Sequence, residues 1–180
     1  MIPIFLDCEA SSLGPQSYPI QIAWCDPYGN IKSHMINVYL YPDHYRDWDP
    51  AAQKIHGLSR KHLMSIGKPP ELVVEHMIEE LSGKTIYTDA PDYDGFWVER
   101  LFQSVNSKCD FKIENIEILL RKLLPEEYWI FDSNSYSFPI AHVYKQARIN
   151  CGLPAHKADH DVAYLIELYK ESKRLGNESD

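Results

Sequence analysis

The chain opens on an apolar run, Ile2-Pro3-Ile4-Phe5-Leu6, that gives way to two acids one residue apart, Asp7 and Glu9. Strand side chains alternate between faces. Ile2, Ile4, Leu6 and Cys8 therefore share one face of a first strand, and Phe5, Asp7 and Glu9 the other. Two further runs of strand formers, residues 18–25 and 31–40, flank the turn sequence Asp26-Pro27-Tyr28-Gly29-Asn30, which predicts an antiparallel meander. After a loop over residues 41–50 the period lengthens. Asp49 and Pro50 suit the N-cap and first position of a short helix ending at His56-Gly57, and Ser59 caps another. Leu72, Val73, Met77 and Leu81 predict a helix from Pro70 to Leu81. A short strand over 84–88 follows, then a turn capped by Asp89 and a helix over 93–105 with Asp92 as N-cap. Residues 111–124 read as a strand and a helix, 129–131 as a strand, 138–149 as a helix closed by Gly152, and 157–173 as the last helix. Residues 176–180 should fray. The prediction is one α/β domain over residues 1–175, a mixed five-stranded sheet (antiparallel meander plus parallel strands) flanked by helices.

Three of these elements carry acids on their apolar side. Asp7 and Glu9 stand on one face of a buried strand. Asp94 falls on the stripe Trp97, Val98, Leu101, Phe102, and Asp161 on the stripe Ala158, Val162, Leu165, Ile166, whereas Glu99, Glu167 and Glu171 fall toward polar sides. An unpaired buried carboxylate costs several kcal/mol or takes up a proton. Four such groups converging on divalent cations satisfy one another. Oxygen-only ligands favour Mg²⁺ or Mn²⁺, and two ions about 3.5–4 Å apart clamp both oxygens of a phosphodiester displacement. His156, at a loop-to-helix junction before Asp161, is the candidate base for the attacking water. The pair His44 and Asp49 has the same spacing, in a loop with no assigned role.

Composition limits the partners. The 180 residues carry a formal net charge of -8, which argues against a broad basic grip on long duplexes but does not exclude a nucleic-acid enzyme, because bound divalent ions reverse the local field where a phosphate sits. The four cysteines form no C-x-x-C pair, so neither a zinc site nor a disulfide frame is expected and a reducing cytoplasm fits. Asp7 interrupts the apolar start, so no signal peptide is expected, and no run approaches a membrane span. Aromatic residues Tyr39, Tyr41, Tyr45 and Trp48 suit core or homodimer packing. His142 and Tyr144 are expected only to pack, and Asp159 and His160 to face outward.

Asp7-x-Glu9, Asp94 near the start of a helix and His156-x4-Asp161 resemble the three motifs of the DnaQ-like 3′-5′ exonucleases, DEDDh branch. Ile55-His56-Gly57-Leu58-Ser59 is similar to the stretch that wraps the 3′-terminal nucleotide in that family. The resemblance runs from the first strand to the last helix. It implies an RNase H-like fold, two divalent ions, release of 5′-mononucleotides from RNA or DNA 3′ ends, Asp7, Glu9, Asp94 and Asp161 as ligands, and His156 as base. Ala10, Ser11, Ile55, His56 and Tyr93 are the expected substrate contacts. Two positions depart from the pattern: Ala10 stands where threonine is usual, and Asp89-Ala90-Pro91 where an asparagine is usual. A phosphodiesterase acting on dinucleotides shares this chemistry. A non-catalytic nucleic-acid-binding module would need a broken site, and all five positions are filled.

Overall fold

The structure, a computed structural model, describes residues 1–41, 46–133 and 135–178. His44 and Tyr45 lie outside them. The sheet is built from β1 (Ile4–Ala10), β2 (Pro19–Cys25), β3 (Ile31–Met35), β4 (Thr85–Thr88) and β5 (Lys112–Asn115), in the order β3-β2-β1-β4-β5. The meander β1-β2-β3 is antiparallel, and β4 and β5 add in parallel beyond β1. Helices α1 (Pro50–His56), α2 (Arg60–Ile66), α3 (Pro70–Leu81), α4 (Pro91–Ser104), α5 (Glu117–Leu123), α6 (Ile140–Cys151) and α7 (Ala158–Glu178) complete the chain.

The alternation along β1 divides the molecule into two cores. Ile4, Leu6 and Cys8 pack with Val73, Met77, Val98 and Leu101 of α3 and α4. Phe5, Ala23 and Cys25 pack with Leu120, Val143, Val162 and Leu165 of α5, α6 and α7. Each fully buried side chain of this kind contributes about 1.5–3 kcal/mol relative to exposure. That frame holds like charges together at one end of β1. The register of β1 with β4 covers only Ile4 with Ile86 and Phe5 with Tyr87. Beyond Phe5 the edge facing β4 is open, and the Cys8 N–H there donates to the Asp94 carboxylate instead (3.2 Å).

Several boundaries differ from the sequence expectation. β3 stops at Met35, and Ile36 forms only a bridge to Lys68. The end of α2 presses on the chain there: a Cβ on Gly67 would sit 2.5 Å from the Asn37 nitrogen, so only glycine fits. α4 begins at Pro91, whose fixed φ suits a first helical position, so Asp92 lies in the first turn and is not the N-cap. Residues 126–129 form a 3-10 turn rather than leading into a strand, with the Arg121 guanidinium 4.1 Å from the centre of the Trp129 ring. Glu171 is buried rather than on a polar side, held by two bonds from Arg174 (2.7 and 3.0 Å). Helix α7 continues through Gly176 to Glu178 where a frayed tail was expected. Gly176 allows the backbone of Leu123 to approach closely, which ties that last turn to α5. No helix among the described residues is long and apolar enough to cross a membrane.

Candidate active site

The C-terminal half of β1, the β4–α4 turn and the start of α7 meet at one place. Oxygens of Asp7, Glu9 and Asp161 lie within 4.8 Å of one another, and so do oxygens of Asp7, Asp89 and Asp94. The two groups share Asp7. Asp161 receives three donors: its Oδ2 accepts from the His156 N–H (2.7 Å) and the Lys157 N–H (3.2 Å), and its Oδ1 from Arg148 Nη1 (3.0 Å). Asp94 is fully buried. Its Oδ1 accepts from Cys8 and its Oδ2 from the Thr88 hydroxyl at the end of β4. The start of α7 is pinned by Gln21 of β2, whose Oε1 accepts from the Ala158 N–H (3.3 Å) while its Nε2 donates to Asp159 (3.1 Å). Asp159 and His160 are therefore not free outward groups: His160 Nδ1 also donates to the Pro154 carbonyl (2.9 Å).

Crowding of acids shows in their affinities for protons. Burial raises Asp7 well above the ordinary carboxylate range, and Asp94, Asp161, Glu9 and Asp89 raise it further. Glu9 is pushed up to about 8 by burial, then by Asp161 and Asp94, with Lys157 opposing. Burial also raises Asp94, against the Thr88 hydrogen bond. Asp89, at the rim, is raised by the atoms packed round its carboxylate and then by Asp161. A group whose pKa is higher in the folded than in the unfolded chain stabilises fully below the unfolded pKa and loses that contribution as pH rises through the folded one. Without divalent ions the protein is thus expected to lose stability between about pH 4.5, the ordinary value for Glu9, and about 8. A cation bound to the carboxylates offsets the loss. The rise in Tm on adding Mg²⁺ should be larger at pH 8 than at pH 6. Equal rises in a thermal-shift titration would mean that the acids do not bind the ion.

A cavity of about 470 Å³ opens on these groups. Ala10, Ile55, His56 and His156 line it, and so do Asp7, Glu9, Asp89 and Asp161. Ser11 is not among its walls: it is buried, and its hydroxyl accepts from the Tyr18 N–H (3.1 Å). Ser12 lines the cavity instead, with its hydroxyl on Asp47. Tyr93 is half-exposed outside the cavity and reaches it through Trp97, whose ring centre is 5.5 Å away. Asp49 also lines the cavity, its carboxylate capping α1 through the Ala51 N–H (2.7 Å). Of the aromatic group, Tyr41 is buried, Trp48 packs edge-on to His56 and Tyr39 is exposed. His142 lies at the surface, while Tyr144 packs against the second core. A larger depression of about 830 Å³, walled by Phe102, Cys109 and Ile113, has Glu99 as its one acid among the described residues.

Asp89, Arg148, Thr88, Gln21 and Trp97 are the site residues that motif spacing missed. Gln21 alone left a signal: a polar side chain inside an otherwise apolar strand needs a buried partner.

No family model matches the sequence, and no curated protein matches it. Solved structures do. E. coli exonuclease I in complex with a dA16 oligonucleotide superposes with TM-score 0.61 at 19% identity, over 97% of this chain and 42% of that one. The zinc-bound form of the E. coli exonuclease I–ssDNA complex gives 0.60 at 17%, over 98% and 42%. A moderately thermophilic exonuclease I from Methylocaldum szegediense gives 0.63 at 17%, over 97% and 42%. The chain thus spans about two-fifths of the length of the proteins it matches, and at these identities the likeness is one of fold. That fold is the RNase H-like α/β fold of exonuclease I, with its mixed five-stranded sheet flanked by helices.

Proposed function

We propose that this chain is a metal-dependent 3′-5′ exonuclease of the DnaQ-like type, DEDDh branch, acting on single-stranded nucleic acid or short oligonucleotides and releasing 5′-mononucleotides. The observation that carries the reading is the pair of three-carboxylate groups sharing Asp7. The donors suit a hard cation: they are carboxylate oxygens only, and Asp7 and Glu9 are held above their ordinary proton affinity by burial and then by the neighbouring acids. Two ions, Mg²⁺ or Mn²⁺, would supply Lewis-acid stabilisation of the attacking and leaving oxygens. Asp7, Glu9 and Asp161 would hold one, and Asp7, Asp89 and Asp94 the other.

The other residues bind, orient and move a proton. His156 lines the cavity beside Asp161 and takes the proton of the attacking water. Ala10, Ile55 and Trp97 offer apolar walls to the terminal nucleotide. His56 Nδ1 accepts from the Leu58 N–H (3.0 Å), which assigns the ring proton to Nε2. That Nε2 is buried without a protein partner among the described residues. Burial, then the charge of Lys157, lowers its pKa, so the ring is a neutral donor. Its remaining N–H suits an acceptor on the terminal base or sugar. The ssDNA complexes of exonuclease I, of the same fold, support a single-stranded substrate.

The test is an assay on labelled RNA and DNA oligonucleotides of several lengths with Mg²⁺ or Mn²⁺. Mononucleotides should appear from the 3′ end, and chelator should stop their release. Turnover confined to dinucleotides would replace this reading with the short-substrate phosphodiesterase. Metal binding with no turnover on any substrate would replace it with a binding module.

A further inference from the structure

One strong cation reaches into the carboxylates from an element with no ligand of its own. Arg148 sits in the last turn of α6 and lines the cavity. Its Nη1 bonds Asp161 Oδ1 at 3.0 Å, and the guanidinium carbon lies 3.5 Å from the centre of the Tyr164 ring. Tyr164 is buried and stands three residues past Asp161 on α7. Stacking fixes the guanidinium plane, and a single bond uses one of its five N–H donors. The other donors have no acceptor among the described residues.

Charge arithmetic says what those donors are for. The site holds five carboxylates, Asp7, Glu9, Asp89, Asp94 and Asp161. Two divalent ions bring four positive charges, one short of neutrality, and a phosphodiester adds another negative charge. A guanidinium offsets one of those two excess negative charges, and its planar fork matches two phosphate oxygens at once. Lys157, the other nearby cation, is a point charge without such a fork. Resting on the nuclease reading above, we propose that Arg148 is a substrate-binding residue of this site, donating to the non-bridging oxygens of the phosphate that lies against the carboxylates.

The experiment compares the parent with Arg148→Ala and Arg148→Lys, each checked for folding by circular dichroism. Calorimetry measures Mn²⁺ binding to each protein alone, then binding of a nucleoside 5′-monophosphate with Mn²⁺ present. Arg148→Ala should bind Mn²⁺ at least as tightly as the parent, because a competing positive charge is gone. It should bind the monophosphate roughly ten- to a hundredfold more weakly, the usual range for losing a charged hydrogen bond. Arg148→Lys should restore part of that loss. A residue that merely steadies Asp161 gives the opposite pattern, weaker Mn²⁺ binding with monophosphate affinity unchanged, and that result would overturn the proposal. A parent that hydrolyses oligonucleotides while Arg148→Ala keeps full monophosphate affinity overturns this inference alone. A parent that binds neither Mn²⁺ nor monophosphate overturns the nuclease reading and this inference with it.

Discussion

Replacing Asp7 by Asn is expected to reduce exonuclease turnover by roughly three to four powers of ten, several kcal/mol of charge stabilisation at about 1.36 kcal/mol per tenfold. Asp7 belongs to both three-carboxylate groups, so one neutral amide weakens both cation sites. Asp89→Asn touches one group only and should cost less. The same substitution should raise stability in the absence of divalent ions. Burial and then four neighbouring acids hold the Asp7 proton far above the ordinary carboxylate value of 3.8, so near pH 8 its ionisation favours the unfolded chain. Well below the ordinary value of 3.8 both states are protonated, and the variant and parent should converge. The expected signature is therefore a higher Tm at pH 8, little change at low pH, a smaller further rise with Mg²⁺ than in the parent, and turnover lowered by the same three to four powers of ten. An Asp7→Asn protein that keeps activity within tenfold would show that the shared carboxylate is not at the reaction centre.

The acids that periodicity can locate are those on regular elements. Asp7 and Glu9 follow from the two-residue alternation of β1, and Asp94 and Asp161 from apolar stripes on α4 and α7. Asp89 has no such signature. It lies between β4 and α4, where an acid reads equally well as a turn residue, and only the fold brings it beside Asp7. Arg148 is an ordinary polar position of α6 in the sequence. Its role emerges from the packing of α6 on α7, which sets it over Tyr164 and against Asp161. The boundary misses have the same origin. β3 ends early because Gly67, distant in sequence, brings α2 against the departing chain, and α7 outlasts its pattern because Gly176 seats on Leu123. Local preference places the elements, and long-range contacts decide where they stop.

His156→Ala is expected to lower kcat by about 10²–10⁴-fold, the usual range for removing a general base. Helical spacing alone argues against this assignment, since five residues on a helix would turn His156 away from Asp161. The backbone removes the objection. α7 starts only at Ala158, and His156 precedes it with φ +68°, a left-handed conformation that a non-glycine residue adopts at a cost of about 1–2 kcal/mol. That turn aims the His156 N–H at Asp161 Oδ2 and leaves the ring exposed on the cavity. Backbone and side chain thus have separate tasks, and a second substitution separates them. His156→Gly keeps the N–H and relieves the left-handed strain, so it should be at least as stable as His156→Ala and bind Mn²⁺ like the parent, yet be as inactive. Because the ring is exposed, added imidazole has room to take its place and should restore part of the glycine variant's activity. If His156 served only to hold Asp161, the glycine variant would retain activity and imidazole would have no effect. Imidazole rescue with Mn²⁺ affinity unchanged would place the lost function in proton transfer rather than in the architecture of the site.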